Sequence, residues 1–275
     1  MDRALEIIDR LRILKDKNTA ESYAHIKNIL KNQRIPLPLF DIQEFERVKL
    51  VRYRRHNNGE DYFRNIEDLT YRKDILLISH FGRCNEPGQG IFYCNDHNNQ
   101  ETGIVESVSV FRGNADSQEE VFTIGAWSLT KPLRLGMILP LELNRGKNPQ
   151  FDQMRESFMQ FENSEYFEEL MELVDYLALE FSLDLEKQDS NYLITSAFTN
   201  YFREVFDVDG LLYASVKADL EGTNIVLWPE SVDNKLEFYA ARKQSFQRDP
   251  GTNSFWQIGS EETESFDLNT GIINW

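Results

Sequence analysis

The stretch that decides the fold is a turn region running into a strand, HFGRCNEPGQGIFYC at residues 80–94. Three glycines and one proline fall between residues 82 and 90, and this composition forces the backbone into tight turns. Residues 91–94 then have the apolar and aromatic character of a strand. Arg83 and Asn85 add polar groups that a plain turn does not need. The region is therefore either a tight connection or a loop that approaches a ligand.

Outward from this region, the sequence alternates between strand and helix patterns. Strands are predicted at residues 48–53, 121–129, 133–139, 211–215 and 224–228. Helices are predicted over residues 1–32, 148–185 and 194–205, where apolar residues recur at helical spacing. Residues after 246 are polar, so only part of that tail need be ordered. The chain therefore combines strand and helix patterns along most of its length.

Composition and charge exclude several classes of protein. The chain of 275 residues has 46 acidic and 30 basic residues, a formal net charge of −16, which disfavours nucleic acid or an anionic membrane as the main partner. No run approaches the roughly 18 apolar residues of a membrane span. The N-terminal residues carry charges where a signal peptide would be apolar. The two cysteines cannot form a disulfide framework, which indicates free thiols and a cytoplasmic protein.

Basic residues cluster in the first predicted strand despite the acidic composition. Lys49, Arg52, Arg54 and Arg55 lie close together in sequence, and Arg83 lies in the glycine-rich loop. Guanidinium groups suit phosphate because they donate paired hydrogen bonds. The structural alternative is that these arginines are solvated and pair with nearby acids. The loop has neither the Walker spacing nor the G-x-G-x-x-G fingerprint, so its chemistry stays open.

Two further signals are weaker. His80, Cys84, Cys94 and His97 suggest a zinc set, but they lack a paired C-x-x-C, so we predict no metal. Glu106 lies in a mainly apolar segment, residues 103–108, which fits a strand or a helix equally well. A glutamate in such surroundings usually reaches solvent and only sometimes serves a buried site.

Several fragments, taken in order, resemble the RES domain family, named for its Arg, Glu and Ser. The fragments are Arg52-Tyr53, residues 82–88, residues 91–93, Glu106, and residues 192–196, 209–215 and 222–228. The resemblance covers about residues 47–230. It predicts a helical extension at 1–40, a RES-like catalytic domain at 41–246 with a helical insertion at about 112–190, and a polar tail at 247–275.

The resemblance implies an ADP-ribosyltransferase-like α+β fold, with a mixed β core surrounded by helices, and a bacterial toxin that consumes NAD by glycohydrolysis or phosphorolysis. It also implies an antitoxin of the Xre, helix-turn-helix type and NAD as substrate. Two alternatives remain open: a mono-ADP-ribosyltransferase that modifies a protein, and a non-catalytic sensor of NAD or ADP-ribose. The implied catalytic residues are Arg52, Glu106 and Ser215, and the implied binding residues are Tyr53, Arg83, Asn85 and Tyr93.

The residue types suit this chemistry. Cleavage of the nicotinamide–ribose bond passes through a sugar cation that a carboxylate stabilises, a role that falls to Glu106. Arg52, supported by Arg83, would hold the pyrophosphate. Tyr53 or Tyr93 would stack on a flat ring. Ser215 is expected to hydrogen-bond near the nicotinamide. It is not predicted as a nucleophile, because no His/Asp relay is visible in the sequence.

Overall fold

The structure of the chain is a computed structural model in which helices pack against a central sheet. It describes residues 3–33, 35, 37–43, 49–56, 60–96, 100–107, 119–160, 167–184, 191–249 and 255–275. The helices are α1 (Arg3–Lys17), α2 (Ala20–Gln33), α3 (Ile66–Leu69), α4 (Gln100–Ser107), α5 (Pro149–Met159), α6 (Phe167–Ser182), α7 (Leu193–Val205) and α8 (Pro229–Lys235). The strands are β1 (Leu39–Ile42), β2 (Lys49–Arg55), β3 (Phe92–Asp96), β4 (Glu119–Leu129), β5 (Leu133–Ile138), β6 (Gly210–Ala214), β7 (Thr223–Leu227), β8 (Leu236–Arg248), β9 (Phe255–Glu262), β10 (Ser265–Phe266) and β11 (Ile273–Asn274).

One mixed sheet of nine strands forms the centre, in the order β1-β5-β6-β7-β3-β2-β4-β8-β9. The pair β5–β6 is parallel, and the other neighbours are antiparallel. Strands β10 and β11 form a separate hairpin-like pair. The predicted α+β class, with a mixed β core and surrounding helices, is confirmed.

The sheet opens at its middle, between β2 and β3. These strands pair at only two positions, Leu50↔Asp96 and Val51↔Asn95. Beyond them, β2 continues along β4, whereas β3 continues along β7. Backbone groups that would complete the ladder are therefore separated, and the side chains next to the split can line a cavity.

Apolar residues cover both faces of the sheet because side chains alternate along each strand. On β6, Leu211 and Tyr213 join a core cluster with α1, α2, α6 and α7, whereas Leu212 and Ala214 join the cluster on the other face. Helix α7 is buried almost all round, since α2 packs on its outer side. The N-terminal helices therefore complete the core on this face instead of standing apart.

Two predicted segments need correction. The range 112–190 was predicted as a helical insertion, yet β4 and β5 lie inside it, and β4 pairs with β2 along seven positions. Only its later part is helical, in α5 and α6. The tail at 247–275 includes β9, which pairs with β8 at the edge of the sheet. Its Trp256 and Ile258 side chains are exposed, so this edge strand presents apolar groups to solvent.

Within the part of the chain described, no helix combines the length and apolar character that a membrane crossing requires.

Candidate functional site

A cavity of ≈ 250 Å³ lies at the opening between β2 and β3. Helix α4 closes one side of it, and β6 and β7 supply the wall beyond β3. The lining residues are Arg52, Tyr53, Tyr93, Cys94, Asn95, Glu106, Ser107, Tyr213, Asn224 and Ile225. The cavity thus combines a cation, a carboxylate, two amides and three tyrosine rings.

Arg52 is the cation of this cavity. Its Nη1 donates to the Tyr93 carbonyl at 3.3 Å, and its guanidinium carbon lies 5.5 Å from the Phe92 ring centre. Its Nε is buried and makes no hydrogen bond with the residues described, and the groups with the largest electrostatic effect on the guanidinium include no carboxylate. Burial lowers the pKa of Arg52 to about 10, so the group stays charged at neutral pH. A buried, uncompensated guanidinium has unused capacity to bind an anion.

Glu106 lies in the last turn of α4 and is held by two donors from the sheet. The Ser215 hydroxyl donates to its Oε1 at 2.5 Å, and Asn224 Nδ2 donates to the same oxygen at 2.8 Å. Helix α4 can approach the sheet this closely because glycines lie at the contact, Gly103 on the helix itself and Gly222 just before β7. A Cβ on Gly103 would lie 2.0 Å from the Tyr53 ring, and one on Gly222 would lie 2.0 Å from Thr102 Oγ1.

Ser215 directly follows β6 and is fully buried. Its amide donates to the Gly222 carbonyl at 2.8 Å, and its carbonyl accepts from the Leu220 amide at 2.7 Å. Its hydroxyl accepts from the Ala218 amide at 3.1 Å, which directs the hydroxyl proton to Glu106. Ser215 therefore acts on the cavity through Glu106.

The two predicted tyrosines form walls of the cavity. Tyr53 packs under α4 with its ring centre 5.7 Å from that of Phe122. The Tyr93 hydroxyl accepts from the Cys84 amide at 3.0 Å and donates to Asn85 Oδ1 at 3.2 Å, so it is committed to the glycine-rich loop. Burial raises the pKa of both phenols, which keeps them neutral at physiological pH.

Arg83 and Asn85 lie behind Tyr93, outside the cavity lining. Arg83 donates through Nη1 to the Phe181 carbonyl and through Nη2, at 3.0 Å, to the Leu183 carbonyl. These carbonyls end α6 and lack helical donors, which explains why they attract a guanidinium. In this structure Arg83 therefore binds the C-terminal end of α6 through hydrogen bonds. Its contact with a ligand stays a prediction.

Six lining residues were not assigned to the site from sequence, and three of them, Asn95, Tyr213 and Asn224, bring polar side chains from the central strands. A signal for the two asparagines exists, because asparagine is depleted in strands and both lie inside strands of the central sheet. Tyr213 gives no such signal, since a tyrosine in a buried strand is ordinary packing.

The two cysteines of the suggested zinc set do not lie together in the structure. Cys84 and Cys94 are free, buried, and belong to core clusters on different faces of the sheet. His97 lies outside the described residues. Among the described residues, no group of three or more His, Cys, Asp or Glu side chains is placed to hold a metal ion.

Comparison with known families supports the resemblance. The family model described as RES domain matches residues 52–249, more than half of the chain. The match starts at Arg52 and continues through the strands that sequence analysis assigned to an insertion. The RES domain is ADP-ribosyltransferase-like, so the predicted family and fold are confirmed. A comparison with curated proteins finds no match.

Proposed function

The chain belongs to the RES domain family, a family of NAD-related toxin domains generally paired with an antitoxin, and we propose that it cleaves the nicotinamide–ribose bond of NAD. Water or inorganic phosphate would accept the ADP-ribose, which makes the protein a glycohydrolase or a phosphorylase.

One observation carries this proposal: Arg52, a buried cation without a carboxylate partner among the described residues, lines the same cavity as the carboxylate of Glu106. NAD supplies a counterpart for each group. Its pyrophosphate is an anion that a guanidinium binds through paired hydrogen bonds, and its ribose becomes cationic during cleavage. A ligand with only one of these features would leave the other group unused.

In the proposed reaction the bond between the nicotinamide nitrogen and ribose C1′ breaks. The electron pair leaves with nicotinamide, which becomes neutral, and positive charge develops on the ribose ring. Glu106, fixed by Ser215 and Asn224, stabilises that charge. Water then attacks C1′ and loses a proton to give ADP-ribose, or phosphate attacks to give the ADP-ribose phosphate ester.

The tyrosines and the size of the cavity are consistent with a site that encloses only part of the substrate. Ligand pockets commonly measure about 300–1,000 Å³. With ≈ 250 Å³, this cavity takes one part of a dinucleotide. We propose that the nicotinamide riboside part enters it, with Tyr53 or Tyr93 against the flat nicotinamide ring.

The direct test is product analysis after incubation with NAD. Wild-type protein is expected to release nicotinamide, with ADP-ribose as product, or its phosphate ester when phosphate is added. Glu106→Gln keeps the shape but removes the charge, so we expect a loss of about 10²–10³-fold in kcat. Glu262→Gln is the matched control, because that carboxylate is exposed, pairs with Arg242 and is not part of the cavity lining.

The same incubation separates the alternatives. Transfer of label from tagged NAD to protein would replace the proposal with the ADP-ribosyltransferase reaction. NAD binding without nicotinamide release would indicate a sensor. If a folded sample neither binds NAD nor consumes it, the cavity serves another ligand or none.

We further propose that the protein acts as a toxin in the cytoplasm, restrained by an antitoxin of the Xre type. The cytoplasm contains NAD and preserves free thiols such as Cys84 and Cys94. An acidic chain also favours a basic partner surface. Expression should arrest bacterial growth, Glu106→Gln should relieve the arrest, and co-expression of a neighbouring open reading frame should restore growth. Growth unaffected by an active enzyme would contradict the toxin role.

A further inference from the structure

A chain of two amides, Asn224 on β7 and Asn95 on β3, reaches Glu106, and the reaction described above names only the first of them. Asn224 on β7 donates to Glu106 Oε1, the oxygen that also accepts from Ser215. A serine hydroxyl can rotate and either donate or accept a hydrogen bond. A carboxamide has distinct ends, so its orientation decides whether it attracts or repels a carboxylate.

Asn95 on β3 decides the orientation of Asn224. Asn95 Nδ2 donates to the Thr223 carbonyl at 2.8 Å and to Asn224 Oδ1 at 3.0 Å. The Thr223 carbonyl can only accept, so it requires the NH₂ end of Asn95. Asn95 in turn requires the carbonyl end of Asn224, which leaves the NH₂ end of Asn224 for Glu106. Asn95 is 5% exposed, so water does not readily replace these contacts.

We propose that Asn224, oriented by Asn95, is a positioning residue that holds the Glu106 carboxylate toward the cavity. This inference rests on the proposed NAD cleavage only for its consequence in turnover. The contact itself exists in the unliganded protein and can be tested there. Asn224 acts through Glu106, and Asn95 acts through Asn224.

The other ionisable groups around Glu106 do not interfere with a test of this contact by its pH dependence. Arg52 on β2, Tyr93 and Cys94 on β3 and Tyr213 on β6 line the cavity with it, and Arg83 in the loop interacts with it electrostatically. Burial raises the pKa of the tyrosines and of Cys94, and Arg52 keeps a pKa of about 10. None of these groups titrates between pH 5 and 8.

The test is Asn224→Asp, which replaces the donor by a carboxylate of nearly the same shape. Two carboxylates in contact hold a shared proton more tightly than either does alone. In NAD turnover, the acid limb of the kcat profile should move up by about one pH unit or more, with KM changed less than about threefold. A merely structural role for Asn224 would lower the amount of folded enzyme without moving the profile.

A stability arm makes the test independent of NAD. The folded variant binds the shared proton more tightly than the unfolded chain does, so its stabilising effect is lost as pH rises. Between pH 5 and 8, Tm of Asn224→Asp should fall relative to wild type by on the order of 3 °C. Adding Glu106→Gln should cancel this pH dependence, because one member of the carboxylate pair is gone. Asn234→Asp, at an exposed position of α8, is the matched control.

The two arms separate the proposals. If wild-type protein does not turn over NAD, the proposed function fails, while the stability arm still decides the role of Asn224. A Tm difference independent of pH, or one that persists with Glu106→Gln, would overturn the inference even in an active enzyme.

Discussion

The cavity between β2 and β3 and the glycine-rich loop at residues 82–90 each contribute an arginine, but they use it differently. In the loop, Arg83 donates to two main-chain carbonyls at the end of α6. In the cavity, Arg52 makes a single hydrogen bond, and its Nε is buried without a partner among the described residues. One guanidinium is committed to the fold, and the other has a hydrogen-bond donor that the described residues do not use.

Main-chain hydrogen bonds hold the loop together and tie it to the residues just before it. The Gly82 amide donates to the Asn85 carbonyl at 2.9 Å, and the Gly88 amide donates to the Ile78 carbonyl at 2.8 Å. Gly88 has φ +79°, which other residues adopt only with strain. Its glycines therefore serve tight turns, and the loop supports Tyr93 from behind. A glycine-rich composition alone does not distinguish a turn from a ligand cradle.

The roles of the two arginines can be compared by replacing each one with methionine, which has a similar length and no charge. Arg52→Met is expected to lower kcat/KM for NAD about 100-fold, because charge-assisted hydrogen bonds to the pyrophosphate are lost. Arg83→Met should change kcat/KM less than about threefold in folded protein. Steady-state nicotinamide release measures both. An equal loss in the two variants would place both arginines on the ligand.

The same two variants should shift Tm in opposite directions. Arg83→Met should lower Tm, because two carbonyls lose a charged donor, whereas Arg52→Met should raise it by about 2–4 °C, because a desolvated charge disappears. The gain should depend on pH. Burial lowers the pKa of Arg52, so the cost of its charge is present below about pH 10 and is relieved as pH rises beyond that. Calorimetry should find the gain at pH 7 larger than at pH 10.5, and a constant gain would contradict a charge effect.

The smallest expected effect concerns the support of the loop by the N-terminal helices. The Tyr23 hydroxyl on α2 accepts from Asn200 Nδ2 at 3.1 Å, and Asn200 Oδ1 accepts from Gln89 in the loop at 2.6 Å. Tyr23→Phe removes one hydrogen bond, about 1 kcal/mol, so Tm should fall by about 2–4 °C. NAD turnover at 25 °C should be unchanged, because the cavity contacts remain. A large loss of turnover would tie α2 directly to the site.

Elements with strong periodicity were predicted correctly from sequence. The strands at 121–129 and 133–139 and the helical region at 148–185 correspond to β4, β5, α5 and α6. The segment around Glu106 could not be assigned, because a short apolar run fits either a strand or a helix, and it forms α4. The insertion at 112–190 was misjudged because pairing of β4 with β2 and β8 joins residues distant in sequence.

The candidate site also includes residues that the sequence predicted and contacts that it could not predict. Arg52, Tyr53, Tyr93 and Glu106 line one cavity, as expected for residues of one site, and Ser215 reaches it through Glu106. Sequence could not indicate that Arg83 is already satisfied, since its carbonyl partners lie about 100 positions away along the chain. Nor could it indicate that Asn95 orients Asn224, because that contact depends on the antiparallel pairing of β3 with β7.

The order of residue types along the chain, and the periodicity of its apolar side chains, determined the family, the α+β class and most of the strands and helices. Only tertiary structure decided which charged groups remain available. Hydrogen bonds made by distant main-chain carbonyls and amides determine that, and no local pattern records them. Thus Arg83 is bound to the end of α6, while Arg52 remains a cation in the cavity that Glu106 also lines.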